Sequence, residues 1–184
     1  MRKLAFSFAF LASLASCILI NENDYRALSK TEKSKLVQFS NAANINKSSL
    51  IEITGKDVTG AFANAQYTWI HMWIPYCKAK VCRPLYYYNN IISKYKNKVQ
   101  LFTISQIYDL KQWDTNSRNR MYVLKDSVYG HKMRKNRIAF TKEITNNPTI
   151  AIFMPNHMLF KGNELIYSGD SMTQHLMDSL VNIN

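Results

Sequence analysis

The sequence predicts an α/β domain whose central mixed sheet is flanked by helices. Between residues 48 and 184, segments with a strand-like apolar pattern alternate with segments whose apolar residues recur at helical spacing. Near the end, two short apolar runs flank the turn Lys161-Gly162-Asn163 and predict an antiparallel hairpin. Strands joined by helices form parallel pairs, so the hairpin makes the sheet mixed.

The first half of this domain contains a strand–helix–strand unit. The spacing of Leu85, Tyr88 and Ile92 is helical, and Asn97 ends that pattern. Two strands with a parallel return through a helix form a crossover unit. The predicted strands are 49–54, 67–74 and 99–105, and the predicted helices are 57–66 and 77–95.

The second half is harder to interpret between residues 106 and 145, where a helix at 109–113, a loop at 126–130 and a basic helix at 131–144 are expected. After it, strands are predicted at 149–154, 157–160 and 164–168. A final amphipathic helix is predicted at 171–182, with Ser171 as its cap.

The N-terminus predicts export. Met1-Arg2-Lys3 precedes an apolar run at 4–15, which is typical of a secretory signal. The following Leu14-Ala15-Ser16-Cys17 resembles a bacterial lipobox, which implies a signal peptide at 1–16 and a lipid on Cys17. Ordinary signal cleavage nearby and an uncleaved anchor helix are the alternatives. Residues 17–47 are then a tether, partly helical or disordered, and 48–184 the domain, lipid-anchored in the bacterial cell envelope and facing the periplasm or the exterior.

The net charge limits the expected classes of binding partner, and the cysteine content predicts a disulfide. A net charge of +12 on an exported chain favours anionic lipid or envelope polymers over nucleic acid, although a solvated basic surface fits equally well. If lipid consumes Cys17, only Cys77 and Cys82 remain, and an oxidising compartment favours a disulfide between them.

These two cysteines follow a strand and open the predicted helix at 77–95. Backbone N–H groups at a helix start stabilise negative charge, so a thiol there ionises more easily. Lys78, Lys80 and Arg83 add positive charge nearby.

The order of these elements and three local motifs resemble the thioredoxin-like superfamily, in particular exported thiol–disulfide proteins of the TlpA/redoxin type. Trp73-Ile74-Pro75-Tyr76-Cys77 resembles the entry to that family's active site. Asn147-Pro148-Thr149, before a predicted strand, resembles its cis-proline segment. The two strands around a glycine turn and the closing helix complete the resemblance.

The resemblance implies a thiol–disulfide oxidoreductase that exchanges with protein thiols and disulfides and needs no cofactor or metal. Cys77 would be the nucleophile, Cys82 the resolving thiol, and a cis Pro148 would face both sulfurs. The implied substrate contacts are Trp73, Tyr76, Asn147 and Thr149.

The cysteine spacing departs from the family's usual Cys-x-x-Cys. On an ideal helix, Cys77 and Cys82 would have Cα atoms about 8.5 Å apart, beyond the limit of about 7 Å for a disulfide. Closure therefore requires an unwound first turn, which Pro84 favours because it cannot donate to the carbonyl of Lys80. We expect oxidation to unwind the turn and reduction to let it form.

Three alternatives stay open. The pair could be a structural clip without catalysis. Peroxiredoxins of the Q type have this cysteine spacing, but Ile74 stands where their loop carries Thr or Ser. Copper proteins of the Sco type combine two cysteines with a distant histidine, for which His131, His157 and His175 are candidates.

Overall fold

A computed structural model describes residues 22–40, 49–77, 82–95, 97–109 and 120–181. Its strands form one seven-stranded mixed sheet in the order β1-β2-β5-β4-β3-β6-β7. The first five strands in this order are parallel, and β6 and β7 are antiparallel to their neighbours. The strands are β1 Leu36–Gln38, β2 Leu50–Ile53, β3 Tyr67–Trp73, β4 Val99–Ser105, β5 Met121–Leu124, β6 His157–Lys161 and β7 Glu164–Gly169.

Helices cover both faces of the sheet, which confirms the predicted α/β class. They are α1 Lys30–Lys33, α2 Gly55–Ala61, α3 Leu85–Ser93, α4 Asp126–Tyr129, α5 Met133–Thr145, α6 Pro148–Phe153 and α7 Gln174–Val181. One core joins α2 and α5 to a sheet face through buried side chains that include Val58, Phe102 and Phe140. On the opposite face, Trp69, Tyr88 and Met177 belong to a second core with α3 and α7.

The ends of five strands and the start of a sixth lie at one edge of this sheet. Because β1 to β5 point the same way, their last residues lie at one edge, which we call the carboxyl edge. Strand β6 runs the other way, and His157, its first residue, pairs with His71 near the end of β3. The carboxyl edge therefore also holds the start of β6.

Two strands extend the sheet beyond the expected ones. Leu36 to Gln38 pair with β2, so residues 22–40 of the expected tether are folded onto the domain. Strand β5 arises from the segment that was hard to interpret and lies between β2 and β4. The expected helix at 109–113 lies outside the described residues after Asp109, and the expected loop at 126–130 is the short helix α4 followed by Gly130.

The predicted strand at 149–154 is wrong, because this segment forms α6. The side chain of Asn147 accepts hydrogen bonds from the amides of Thr149 and Ile150, at 2.9 and 3.2 Å, and Pro148 takes the first helical position. Proline suits that position because its missing N–H would have no partner in the helix. The expectation of a cis Pro148 is also wrong, since the described peptide bonds are all trans.

Candidate active site

A disulfide joins Cys77 and Cys82 just beyond the end of β3. The chain turns after Trp73, and the amide of Cys77 donates to the carbonyl of Ile74 at 3.2 Å. The two Cα atoms are 5.9 Å apart, within the range that a disulfide accepts. Both cysteines are half-buried.

The helix expected at 77–95 begins only at Leu85, and Pro84 is its N-cap. Neither cysteine is therefore in α3. The Cα separation of about 8.5 Å that an ideal helix would impose on the pair is thus avoided. This agrees with the expected need for an open first turn. The proposed winding of that turn upon reduction stays a prediction.

The two sulfurs differ in their surroundings. Cys77 and Cys82 both line an open cavity of about 230 Å³ together with Trp73, Arg83 and Leu85. Cys82 alone of the pair also lines a second, deeper cavity, in which the space open to the centre of a water molecule is about 20 Å³. That is room for about one water. Cys82 thus borders both cavities, whereas Cys77 borders only the open one.

Two histidines and a tyrosine lie in the wall of the deeper cavity. The rings of His71 and His157 stack with centroids 4.7 Å apart and an angle of 13° between their planes. The ring of Tyr88 lies 4.1 Å from that of His71 and 5.0 Å from that of His157. The indole of Trp69 donates to Nδ1 of His157 at 3.3 Å. Nδ1 of His71 is buried and has no hydrogen-bond partner among the described residues.

Both histidines are held neutral. Burial, followed by the positive charge of Arg137, lowers the pKa of His157 from 6.5 to about 3. Burial also lowers the pKa of His71 well below its usual value, and the charges of His157 and Arg137 act in the same direction. Neither ring carries charge at neutral pH, so the two histidines offer neutral donors and acceptors to the cavity beside Cys82, whose wall also contains the ionisable side chains of Arg83 and Asp170.

Arg137 supports the loop that leads into β6. It is 7% exposed, and its guanidinium donates to the carbonyl of Met154 and, at 2.9 Å, to Oδ1 of Asn156. The carbonyl of Asn156 in turn accepts from the amide of Met72 at 2.8 Å. Burial lowers the pKa of Arg137 to about 10, while Asp170 opposes that shift. The loop is thus fixed against the end of β3, beside Cys82.

The sequence-predicted site residues do not all meet. Trp73 lines both cavities, and Tyr76 is exposed near the disulfide with its hydroxyl bonded to a carboxylate oxygen of Asp109. Asn147, Pro148 and Thr149 form the start of α6 and line neither cavity. Their assigned roles therefore stay predictions without support from the site. Cys17, Lys78 and Lys80 lie outside the described residues.

The structure places one candidate histidine of the copper alternative beside a cysteine. Of the three candidate histidines, only His157 lines a cavity with Cys82, whereas His131 lies 3.9 Å from Glu22 and His175 is exposed on α7. Within the ranges that the structure describes, no group of three or more His, Cys, Asp or Glu is arranged to hold a metal ion.

Sequence reasoning missed His71, Tyr88, Asn156 and Arg137. The one available signal was a histidine in the middle of the apolar run Tyr67–Trp73, where a polar side chain needs a buried partner. Its partner His157 comes from β6, so only the register of the sheet brings them together.

No protein-family model matches the chain, and comparison with curated proteins and with solved structures finds no significant match. In the described part of the chain, no helix has the length and apolar character needed to cross a membrane.

Proposed function

We propose that the protein is a thioredoxin-like thiol–disulfide oxidoreductase of the bacterial cell envelope, anchored by a lipid on Cys17 and acting through Cys77 and Cys82. The observation that carries the proposal is the half-exposed disulfide at the junction between β3 and α3, where both cysteines line an open cavity and Cys82 also lines a smaller cavity beside His71 and His157. The hairpin of β6 and β7 followed by α7 supports the thioredoxin-like assignment.

The surroundings of the two sulfurs define the steps. A partner thiolate attacks Sγ of Cys77, and the bond between the cysteines breaks with its electron pair remaining on Sγ of Cys82. The exposed guanidinium of Arg83, in the wall of both cavities, stabilises this negative charge. A second partner thiolate then attacks the mixed disulfide and releases Cys77.

In sum, a partner dithiol loses two electrons and two protons and becomes a disulfide, while Cys77 and Cys82 become thiols. The same steps in reverse reduce a partner disulfide. The exchange uses only sulfur chemistry and needs no bound group.

Trapping of mixed disulfides tests the proposal. In a Cys82→Ser variant the free thiolate of Cys77 attacks a partner disulfide and displaces one of the two partner sulfurs as a thiolate. No second thiol is present to resolve the mixed disulfide, so partner proteins should stay covalently bound and be released by dithiothreitol. The matched Cys77→Ser/Cys82→Ser variant should trap none. Recovery of the same partners with both variants, or of none with either, would contradict the proposal.

A redox titration separates exchange from a structural clip. The wild-type disulfide should equilibrate with glutathione while the fold stays intact by circular dichroism. A clip would resist reduction until the domain unfolds. Consumption of hydrogen peroxide by the reduced protein at an enzymatic rate would instead favour the peroxidase alternative.

A further inference from the structure

The exposed large apolar side chains of the described residues lie along one edge of the sheet. Among the described residues, the large hydrophobic side chains that are exposed number five, and each belongs to a segment at the carboxyl edge of the sheet. They are Tyr76 (48% exposed), Tyr86 (68%), Val128 (55%), Ile152 (62%) and Phe153 (78%). We call these five residues the apolar patch.

The position of each segment follows from the sheet. Tyr76 follows the last residue of β3, and Tyr86 is in the first turn of α3, which starts after the disulfide. Val128 is in α4, directly after β5. Ile152 and Phe153 end α6, just before the first residue of β6. The patch therefore lies at the same edge as the disulfide.

A shared cavity wall links the patch to the disulfide. Phe153 and Pro155 line a cavity of about 300 Å³ together with Asp170. Asp170 also lines the deeper cavity that contains Cys82. The side chain of Asp170 thus lies between the cavity beside Phe153 and the cavity beside Cys82.

The described chain also begins at this edge. The carbonyl of Asn23 accepts from the amide of Tyr108, which follows the end of β4, and the amide of Asn23 donates to the carbonyl of His131 at 2.9 Å. Glu22 bonds Lys132 at 2.7 Å. The five residue steps from Cys17 to Glu22 can span at most about 18 Å. A lipid on Cys17 would therefore hold this edge close to the bilayer.

We infer that the carboxyl edge of the domain faces the surface of the membrane that carries its anchor, with the apolar patch resting at the level of the lipid headgroups. The inference rests on the lipid anchor of the proposed function. It also implies that the redox partners are proteins of the same membrane whose cysteines lie near the bilayer surface.

The chemistry of the edge suits this position. Tyrosine side chains combine an apolar ring with a polar hydroxyl and are enriched where membrane meets water. Exposed basic residues accompany them. Lys132 forms an ion pair with Glu22, and Arg26, near Glu22, and Arg83, beside Cys82, can meet anionic headgroups. The exposed carboxylates of Asp24 and Asp170 lie at the same edge. The opposite edge carries the exposed turn of Gly162 and Asn163 between β6 and β7.

Quenching by labelled lipid tests the orientation. The full lipidated chain, with Cys77→Ser and Cys82→Ser, receives one additional cysteine by Val128→Cys at the patch or by Asn163→Cys at the opposite edge. A fluorophore is attached to it, and the protein is placed on phosphatidylglycerol–phosphatidylcholine vesicles that carry a nitroxide on the headgroup. We expect quenching at the Val128 position at least about three times that at the Asn163 position.

A second pair of variants tests the patch itself. Ile152→Ser with Phe153→Ser should lower the quenching at the Val128 position, because it removes the apolar side chains that rest at the interface. Both residues are more than half exposed, so the fold should persist by circular dichroism. Lys161→Ser, at the opposite edge, should leave the quenching unchanged.

The outcomes separate the two proposals. Equal quenching at the two positions overturns the orientation alone, whatever the thiol chemistry. A chain that does not stay on the vesicles overturns the anchor and the orientation together. If neither position is quenched and Ile152→Ser with Phe153→Ser, in a chain that keeps Cys77 and Cys82, weakens exchange with a soluble unfolded protein thiol, the patch binds protein substrates and the membrane inference is wrong.

Discussion

The indole of Trp69 donates a hydrogen bond to Nδ1 of His157 across the antiparallel pair of β3 and β6. An indole N–H can only donate, so Nδ1 must carry a lone pair and the proton of the neutral ring must be on Nε2. The stacked ring of His71 completes a neutral pair beside Cys82. The protonation state of this pair therefore affects the stability of the domain and the surroundings of Cys82.

Stability should fall as the pH drops from 7 to 5. The pKa of His157 is about 3 in the folded domain, below its value near 6.5 in the unfolded chain, so between these values only the unfolded chain binds the proton. The free energy of unfolding is then highest above pH 6.5 and decreases below it. For His157 alone the loss between pH 7 and pH 5 is about 2 kcal/mol. Urea unfolding at each pH measures it.

A variant pair identifies the source of that dependence. His157→Gln removes the titrating ring and leaves Trp69 an acceptor, so the loss between pH 7 and pH 5 should shrink by about 2 kcal/mol. His175→Gln, on the exposed side of α7, should keep the wild-type dependence. An unchanged dependence in His157→Gln would show that this ring does not stay neutral in the folded state.

Arg137→Ala should destabilise the domain by about 2–4 kcal/mol, because the carbonyl of Met154 and Oδ1 of Asn156 lose a buried donor. Met154 has a φ of 49°, a left-handed conformation that its side chain disfavours, so its position depends on this contact. Arg134→Ala changes an exposed residue of the same helix and should cost within about 0.5 kcal/mol. Similar losses in the two variants, by urea unfolding, would argue against a role for the buried guanidinium.

The sequence was sufficient for elements whose apolar pattern is long and clearly bounded. Strand β4 has the predicted bounds because Asn97 and a polar continuation frame an apolar run. The run at 149–154 has equally strong strand character, yet Asn147 and Pro148 give it a helix start. There the local cap and tertiary packing outweigh strand propensity, and only Ala151 of α6 is buried.

The residues of the site likewise divide into those that the sequence could identify and those that it could not. The cysteine pair was identified because it stands at the end of a strongly apolar strand, which locates it without any knowledge of the sheet order. The loop residue Asn156, the buried guanidinium of Arg137 and the histidine pair depend on contacts between segments far apart in the chain. Strand β1 has only three residues, and β5 is a run of four apolar residues without alternation, so neither was predicted. Strand β2 is as short as β5 but was predicted because Glu52 interrupts its apolar residues.

Two glycines of α2 should respond oppositely to alanine. A Cβ on Gly55 would lie 2.5 Å from Cδ of Glu143, whose carboxylate accepts from the amide of Lys56 and the hydroxyl of Tyr129. Displacing Glu143 breaks these bonds, so Gly55→Ala should cost about 1 kcal/mol. At Gly60 nothing lies within 4 Å of an added Cβ, and alanine should stabilise the helix by about 0.5–1 kcal/mol. Equal effects in urea unfolding would contradict the contact with Glu143.

Reduction of the disulfide should weaken the domain without unfolding it. The bridge closes a short loop, with Cys77 and Cys82 five positions apart, and such a loop restricts the unfolded chain by about 2 kcal/mol. The cores on both faces of the sheet are formed by side chains other than the cysteines, so they should persist in the reduced protein. Urea unfolding should therefore show one cooperative transition with dithiothreitol and one without it, and the reduced protein should have a modestly lower midpoint. The midpoint of Cys77→Ser/Cys82→Ser should not respond to the reductant. Loss of the folded baseline upon reduction would instead mean that the disulfide is required for the fold, which is the behaviour of a structural clip.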